Sequence, residues 1–129
     1  MKYQENKKIA EDFLGAYAAH DYAGISNLLH IDVEWSLPGQ GRISGIAIGA
    51  EAVIQRVKTI IGSGIETELH YILTGQFGAT LSLHNSASKP NGQVLDEELA
   101  TVLTIDSGRI KKIDTYLSDV PMMEAFFSE

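Results

Sequence analysis

Apolar positions near the start of the chain recur at a helical interval. Ile9, Phe13, Ala16, Tyr17 and His20 stand at i, i+4, i+7, i+8 and i+11, one stripe of a helix from about Gln4 to His20. Asp21 is placed to cap a second, shorter helix over 22–29. Asp32 to Leu37 reads as a strand, stopped by Pro38-Gly39-Gln40-Gly41. Ile43 to Gly49 is apolar and punctuated by glycine, which suits an edge or a bend better than a regular element. Glu51 then opens a third helix to about Ile61. Its apolar side carries Val53, Val57, Ile60 and Ile61, and Gly62-Ser63-Gly64 ends it.

The second half changes period. Ile65 to Leu73, Ala79 to Ala87, Gln93 to Ile105 and Arg109 to Leu117 are long runs with a period-two pattern. Thr74-Gly75-Gln76, Ser88 to Gly92 and Asp106-Ser107-Gly108 separate them. Short Gly, Asn and Asp connections between such runs make consecutive antiparallel hairpins. Pro121 can start a last helical turn, from Met122 to Phe127. Helices followed by a meander define an α+β chain, and at 129 residues a single domain over 1–129 is expected. A strongly curved sheet with helices on one face can enclose a pocket, which is where function is to be sought.

Composition narrows the partners. The net charge of −7, with lysine and arginine scattered, argues against a surface that tracks phosphates, so no nucleic-acid partner is expected. Cysteine is absent, which excludes thiolate metal sites and disulfides. The polar opening residues and the lack of a membrane-length apolar run give the expectation of a cytoplasmic protein with no membrane partner.

Several ordered pieces carry a family resemblance. They are Ala18-Ala19-His20-Asp21, Val33-Glu34-Trp35, Pro38-Gly39, Ile43-Ser44-Gly45 and Gly49-Ala50-Glu51-Ala52, then Gly108-Arg109-Ile110, Tyr116-Leu117-Ser118-Asp119 and Met123 to Phe127. In order and spacing, nearly the whole chain resembles the NTF2-like superfamily. More narrowly it is similar to the SnoaL-like branch, with its polyketide cyclases and ketosteroid-isomerase-like proteins. No single piece is specific; the ordered set is. The resemblance implies a cone: a strongly curved, mostly antiparallel sheet wrapped around N-terminal helices, enclosing an apolar pocket and usually dimeric. It also implies acid–base chemistry on a small, largely apolar carbonyl compound, with no cofactor.

The family's functional positions carry over unevenly. Its first-helix tyrosine falls at Tyr17. The isomerase base aligns at or beside Trp35, and an indole cannot abstract a proton. The second oxyanion donor falls near Thr101, and the cyclase acid/base near Thr115, with Asp114 turned to the other face. The recognised carboxylates are therefore missing, and two readings stay open. One is an isomerase- or cyclase-like enzyme in which Tyr17 and Thr101 polarise the substrate, His84 or Asn85 moves or orients a proton, and Trp35 stacks on it. The other is a non-catalytic binding or interaction module of the same fold.

The strands supply further candidates. Thr80, Ser82, His84 and Ser86 share one face of their strand, while Leu81, Leu83, Asn85 and Ala87 share the other. If the leucine face lines the pocket, Asn85 is inside and His84 outside. Glu97, Leu99, Thr101, Leu103 and Ile105 form an inward row in which Glu97 is read as a charged rim, its pKa raised only if buried. Leu99 and Thr115 are thereby expected to touch ligand, and His70 is added as a possible contact from the neighbouring strand. His70 and His84 could approach each other, but a facial metal site would also need Glu68, Glu97 or Glu98, so no metal ligand is assigned. Tyr116, facing away from Ile113, Thr115 and Leu117, points to an outer sheet face through which a homodimer is expected.

Overall fold

The computed structural model describes residues 2–128. Helix α1 spans Lys2–Ala18 and α2 spans Tyr22–Asn27. The first helix stops short of the expected His20 because that residue takes a left-handed φ of 56°. The amide of Asp21 then closes back on the Ala16 carbonyl at 2.8 Å, and the Asp21 carboxylate accepts from the Gly24 amide at 2.9 Å to start α2.

Strands β1 (Leu29–Leu37) and β2 (Gly45–Ile48) lead into α3 (Ala50–Gly62). The meander follows as β3 (Glu66–Gly75), β4 (Gly78–Ser88), β5 (Val94–Asp106) and β6 (Arg109–Leu117), and α4 (Val120–Phe126) closes the chain. The glycine-punctuated piece is thus a true edge strand, paired antiparallel with β1.

The six strands form one curved, unclosed sheet in the order β2-β1-β6-β5-β4-β3. Every neighbouring pair is antiparallel except β1 and β6, which run parallel. The helices lie on the concave side: α3 against β1, α1 against β3 and β4, and α4 against β5. Between helices and sheet sits the core, with Ile25, Val33, Val53, Val57, Leu81 and Phe126 all at most 1% exposed. Hairpin geometry demands a glycine at 78, where an added Cβ would stand 1.8 Å from the Leu103 carbonyl oxygen. The β4–β5 connection is tied down to α4: the Lys89 ammonium donates to the Phe126 carbonyl, and Gln93 Nε2 donates to the Ala125 carbonyl at 3.1 Å. These ties hold α4 across one end of the cone. Among the described residues, no helix is long and apolar enough to cross a membrane.

Candidate functional site

The concave side of the sheet does not close completely. It leaves a cavity of about 680 Å³ of atom-free space, mouth included, of which about 80 Å³ admits the centre of a water molecule. A single buried water needs roughly 10–15 Å³ by the latter measure, so the space is slender but real.

Strand register sorts its walls into rows. The first is polar: Thr67 on β3 faces Asn85 on β4, and Asn85 faces Glu97 on β5. The next is apolar, with Leu83, Leu99 and Leu117 in line. A third row places Leu81, Thr101 and Thr115 side by side. Two residues along a strand cover about 6.7 Å, so the two polar rows lie about 13 Å apart with leucine between them.

Glu97 is the chemically distinct member. It is 3% exposed, and its Oε1 has no hydrogen-bond partner in the protein. Burial pushes its carboxyl up to about 7. A hydrogen bond from the Asp119 amide pulls the other way, and the Asp119 carboxylate adds to the rise. The side chain is sealed from bulk water and faces the cavity. A carboxyl poised near neutrality, with one oxygen unclaimed, can accept or return a proton there.

Across the same row, Tyr17 reaches from the last turn of α1 to the hydroxyl of Thr67, and Thr67 Oγ1 donates to Asn85 Oδ1 at 2.6 Å. Burial lifts the Tyr17 phenol to about 12, against the opposing effect of Thr67 and with a small added push from Tyr22. It therefore stays protonated at any ordinary pH, and because Thr67 gives its one hydrogen to Asn85, the phenol hydrogen is the one that faces Thr67.

Trp35 forms a wall at the other end. Its Nε1–H donates to Thr115 Oγ1 at 2.9 Å in a buried bond. The Arg56 guanidinium lies 5.1 Å from the ring centroid and donates to the Trp35 carbonyl at 2.8 Å and to the Gly45 carbonyl at 3.1 Å. The indole is thus held by edge and face in one orientation. Thr115 accepts from Trp35 and keeps its own hydroxyl hydrogen to donate.

The structure brings Tyr17, Trp35, Asn85, Leu99, Thr101 and Thr115 to this one cavity. It does not bring His70 or His84. Alternation along β4 sends Leu81, Leu83 and Asn85 inward, so His84 points to the convex face, where it pairs with Glu98 and Asp96. His70 lies on the same outer face, 3.1 Å from Glu98. Both are corrections to their expected pocket roles. Glu97 is a correction in the opposite sense: the residue read as a rim is buried. The sequence holds the signal: Leu95, apolar and two positions earlier in the same phase, starts the inward row before Glu97, and the structure buries it to 1% exposure.

Comparison with known proteins agrees with this architecture. The SnoaL-like domain family matches residues 10–113. The Uncharacterized protein Rv0034 of Mycobacterium tuberculosis is 24% identical over 116 residues, covering 88% of each chain. Among solved structures, Bal32a from a soil-derived mobile gene cassette superposes with a TM-score of 0.92 at 21% identity, over 99% of this chain and 100% of that one. TerC, co-crystallized with polyporic acid, superposes at 0.80 and 16% identity over 96% and 99%. With the family match covering most of its length, the chain belongs to the SnoaL-like domain family, and its fold is that of NTF2-like proteins of known structure.

Proposed function

We propose that this protein is an acid–base enzyme acting on a small, largely apolar carbonyl compound, with Glu97 as the proton-transferring group. The observation that carries this reading is a carboxyl buried in an apolar cavity, raised to about 7, with an unclaimed oxygen. A purely binding pocket has no need of such a group, which costs stability to keep.

In the proposed step the Glu97 carboxylate takes a proton from the carbon beside the carbonyl. The C–H electron pair becomes the carbon–carbon double bond of an enolate, and the charge moves to oxygen. Tyr17, protonated, turns its hydrogen from Thr67 to that oxygen and so stabilises the charge there. If the ketone is β,γ-unsaturated, Glu97 returns the proton to the far carbon of the resulting dienolate, giving the conjugated isomer. If a second carbonyl is within reach, the enolate carbon attacks it, the C=O π pair becomes an alkoxide that takes the proton from Glu97, and a ring closes. Thr101 and Thr115, about 13 Å along the strands, are too far to serve the same carbonyl. They are assigned instead to the distal end of the ligand, beside Trp35. TerC, of the same fold, was co-crystallized with polyporic acid, which supports an organic ligand for this architecture.

The test is deuterium incorporation from D₂O into the acidic C–H positions of a panel of small planar ketones, read by proton NMR, with Trp35 fluorescence reporting binding in parallel. Exchange should fall by about 10²–10⁴-fold in Glu97→Gln, and also weaken in Tyr17→Phe. Exchange undiminished in Glu97→Gln contradicts the assignment. Ligand binding without exchange in the wild type would instead establish a binding module.

A further inference from the structure

Strand β3 carries one residue more than its partner near its centre. Leu69 faces Leu83 and Tyr71 faces Ser82, so His70 stands alone between them. Glu68 stands opposite His84, so alternation already turns His70 to the convex face of the sheet, and the bulge adds Tyr71 beside it. The ring centroid of His70 lies 6.2 Å from that of His84. His84 stands opposite Glu98 on β5. His70 Nε2 is 3.1 Å from Glu98 Oε1, and His84 Nδ1 contacts Glu98 Oε2. One ligand atom from each of the three residues falls within 4.8 Å of the other two.

The fourth neighbour gives the cluster a direction. His84 Nε2 is 2.6 Å from Asp96 Oδ1. An ion entering here would displace the proton that Nδ1 shares with Glu98; with Nε2–H still donated to Asp96, His84 would then offer its Nδ1 lone pair to the ion. Two imidazole lone pairs and a carboxylate then converge on one volume, and a carboxylate behind one imidazole is the usual outer partner of a metal-bound histidine. Zinc–nitrogen and zinc–oxygen bonds of about 2.0–2.2 Å fit between these atoms after small rotations of exposed side chains. The histidine side chains are about one-third exposed, 33% for His70 and 31% for His84, so an ion can reach them.

We propose that His70, His84 and Glu98 form a binding site for a divalent transition-metal cation of the zinc type, with Asp96 as the residue that positions His84. The ligand set of two imidazoles and one carboxylate suits first-row cations and leaves coordination positions for water. The site lies on the opposite side of the sheet from the cavity, so it is independent of the acid–base chemistry assigned to Glu97. Of the three carboxylates that the sequence offers as a third ligand, geometry selects Glu98: Glu97 faces the cavity, and the three-ligand cluster does not include Glu68.

The experiment is titration of the untagged full-length protein with Zn²⁺ by calorimetry, and with Co²⁺ by visible absorption. One ion per chain is expected, with Co²⁺ d–d bands that intensify over those of the aqua ion on binding. His70→Ala, His84→Ala and Glu98→Gln should each lower the affinity by at least about tenfold, and Asp96→Asn by about 10–100-fold. His20→Ala, remote from the cluster, should leave it unchanged. No uptake by the wild type overturns the proposal. So does uptake that survives His70→Ala and His84→Ala, or a stoichiometry of half an ion per chain, which would place the ion between two copies.

Discussion

Glu97 and Glu98 are neighbours of identical chemistry with opposite environments. Alternation along β5 turns Glu97 into the cavity and Glu98 onto the convex face. Burial raises the first toward neutrality, while the hydrogen bond with His84 lowers the second below the usual carboxylate range. The rise at Glu97 fixes a sign for stability. Its folded pKa of about 7 lies above the ordinary 4.5, so between those values the native state holds more protons than the unfolded chain. Stability contributed by this group is therefore full below 4.5 and is lost as pH rises toward 7. At about 1.4 kcal/mol per pH unit, the loss is on the order of 3 kcal/mol. Glu97→Gln, which cannot ionise, escapes it. Urea unfolding of the two proteins should give a stability difference that moves in favour of the variant by up to that amount between pH 4.5 and pH 8. A difference independent of pH would mean that Glu97 is solvated in the folded protein.

At the scale of elements, the sequence was most informative where period and punctuation agree. The far part of β6 follows from the alternation Ile113, Thr115, Leu117 and its start from Gly108, and the inward row of β5 follows from Leu99, Thr101 and Leu103; the three-residue step from Ile110 to Ile113 is a bulge opposite Thr104 and Ile105. It was less informative where a long-range contact decides. The parallel pairing of β1 with β6 joins residues far apart in the chain, and no local turn announces it. The bulge at His70 interrupts a run, Leu69 to Ile72, whose pattern carries no mark of an extra residue. Both faces of β4 carry polar groups, so pattern alone does not select the one that lines the cavity; the leucines decide it, since burying Leu81 and Leu83 outweighs exposing His84. Alternation puts Glu97 in the inward row, but its depth does not follow from alternation alone. A charged residue ordinarily marks a rim, and here α4 and the Asp119 amide close over it.

At the scale of the molecule, the two faces of one sheet carry different tasks. The concave face makes the cavity. On the convex face Tyr71, Ser82, Ala100 and Tyr116 lie in one row across four strands, and Leu73, Thr80, Val102 and Asp114 in the next. Tyr71 is 68% exposed, Leu73 56% and Tyr116 63%, a broad apolar surface for a single chain. We propose that two copies pair through it about a twofold axis, as the outward phase of Tyr116 leads one to expect. Light scattering at micromolar concentration should give about twice the 14.1 kDa of one chain, and Tyr116→Glu should shift it toward one. A wild-type mass of one chain removes the proposal.

The central claim is that a carboxyl inside the cavity titrates near neutrality, and it can be measured without knowing the substrate. With side-chain carboxyl ¹³C labelling of glutamate, one NMR resonance, identified by its absence in Glu97→Gln, should titrate with a midpoint of about 7. A midpoint near the ordinary 4.5 would contradict the account, because Glu97 would then be an ordinary surface acid and the cavity would have no group able to move a proton at neutral pH.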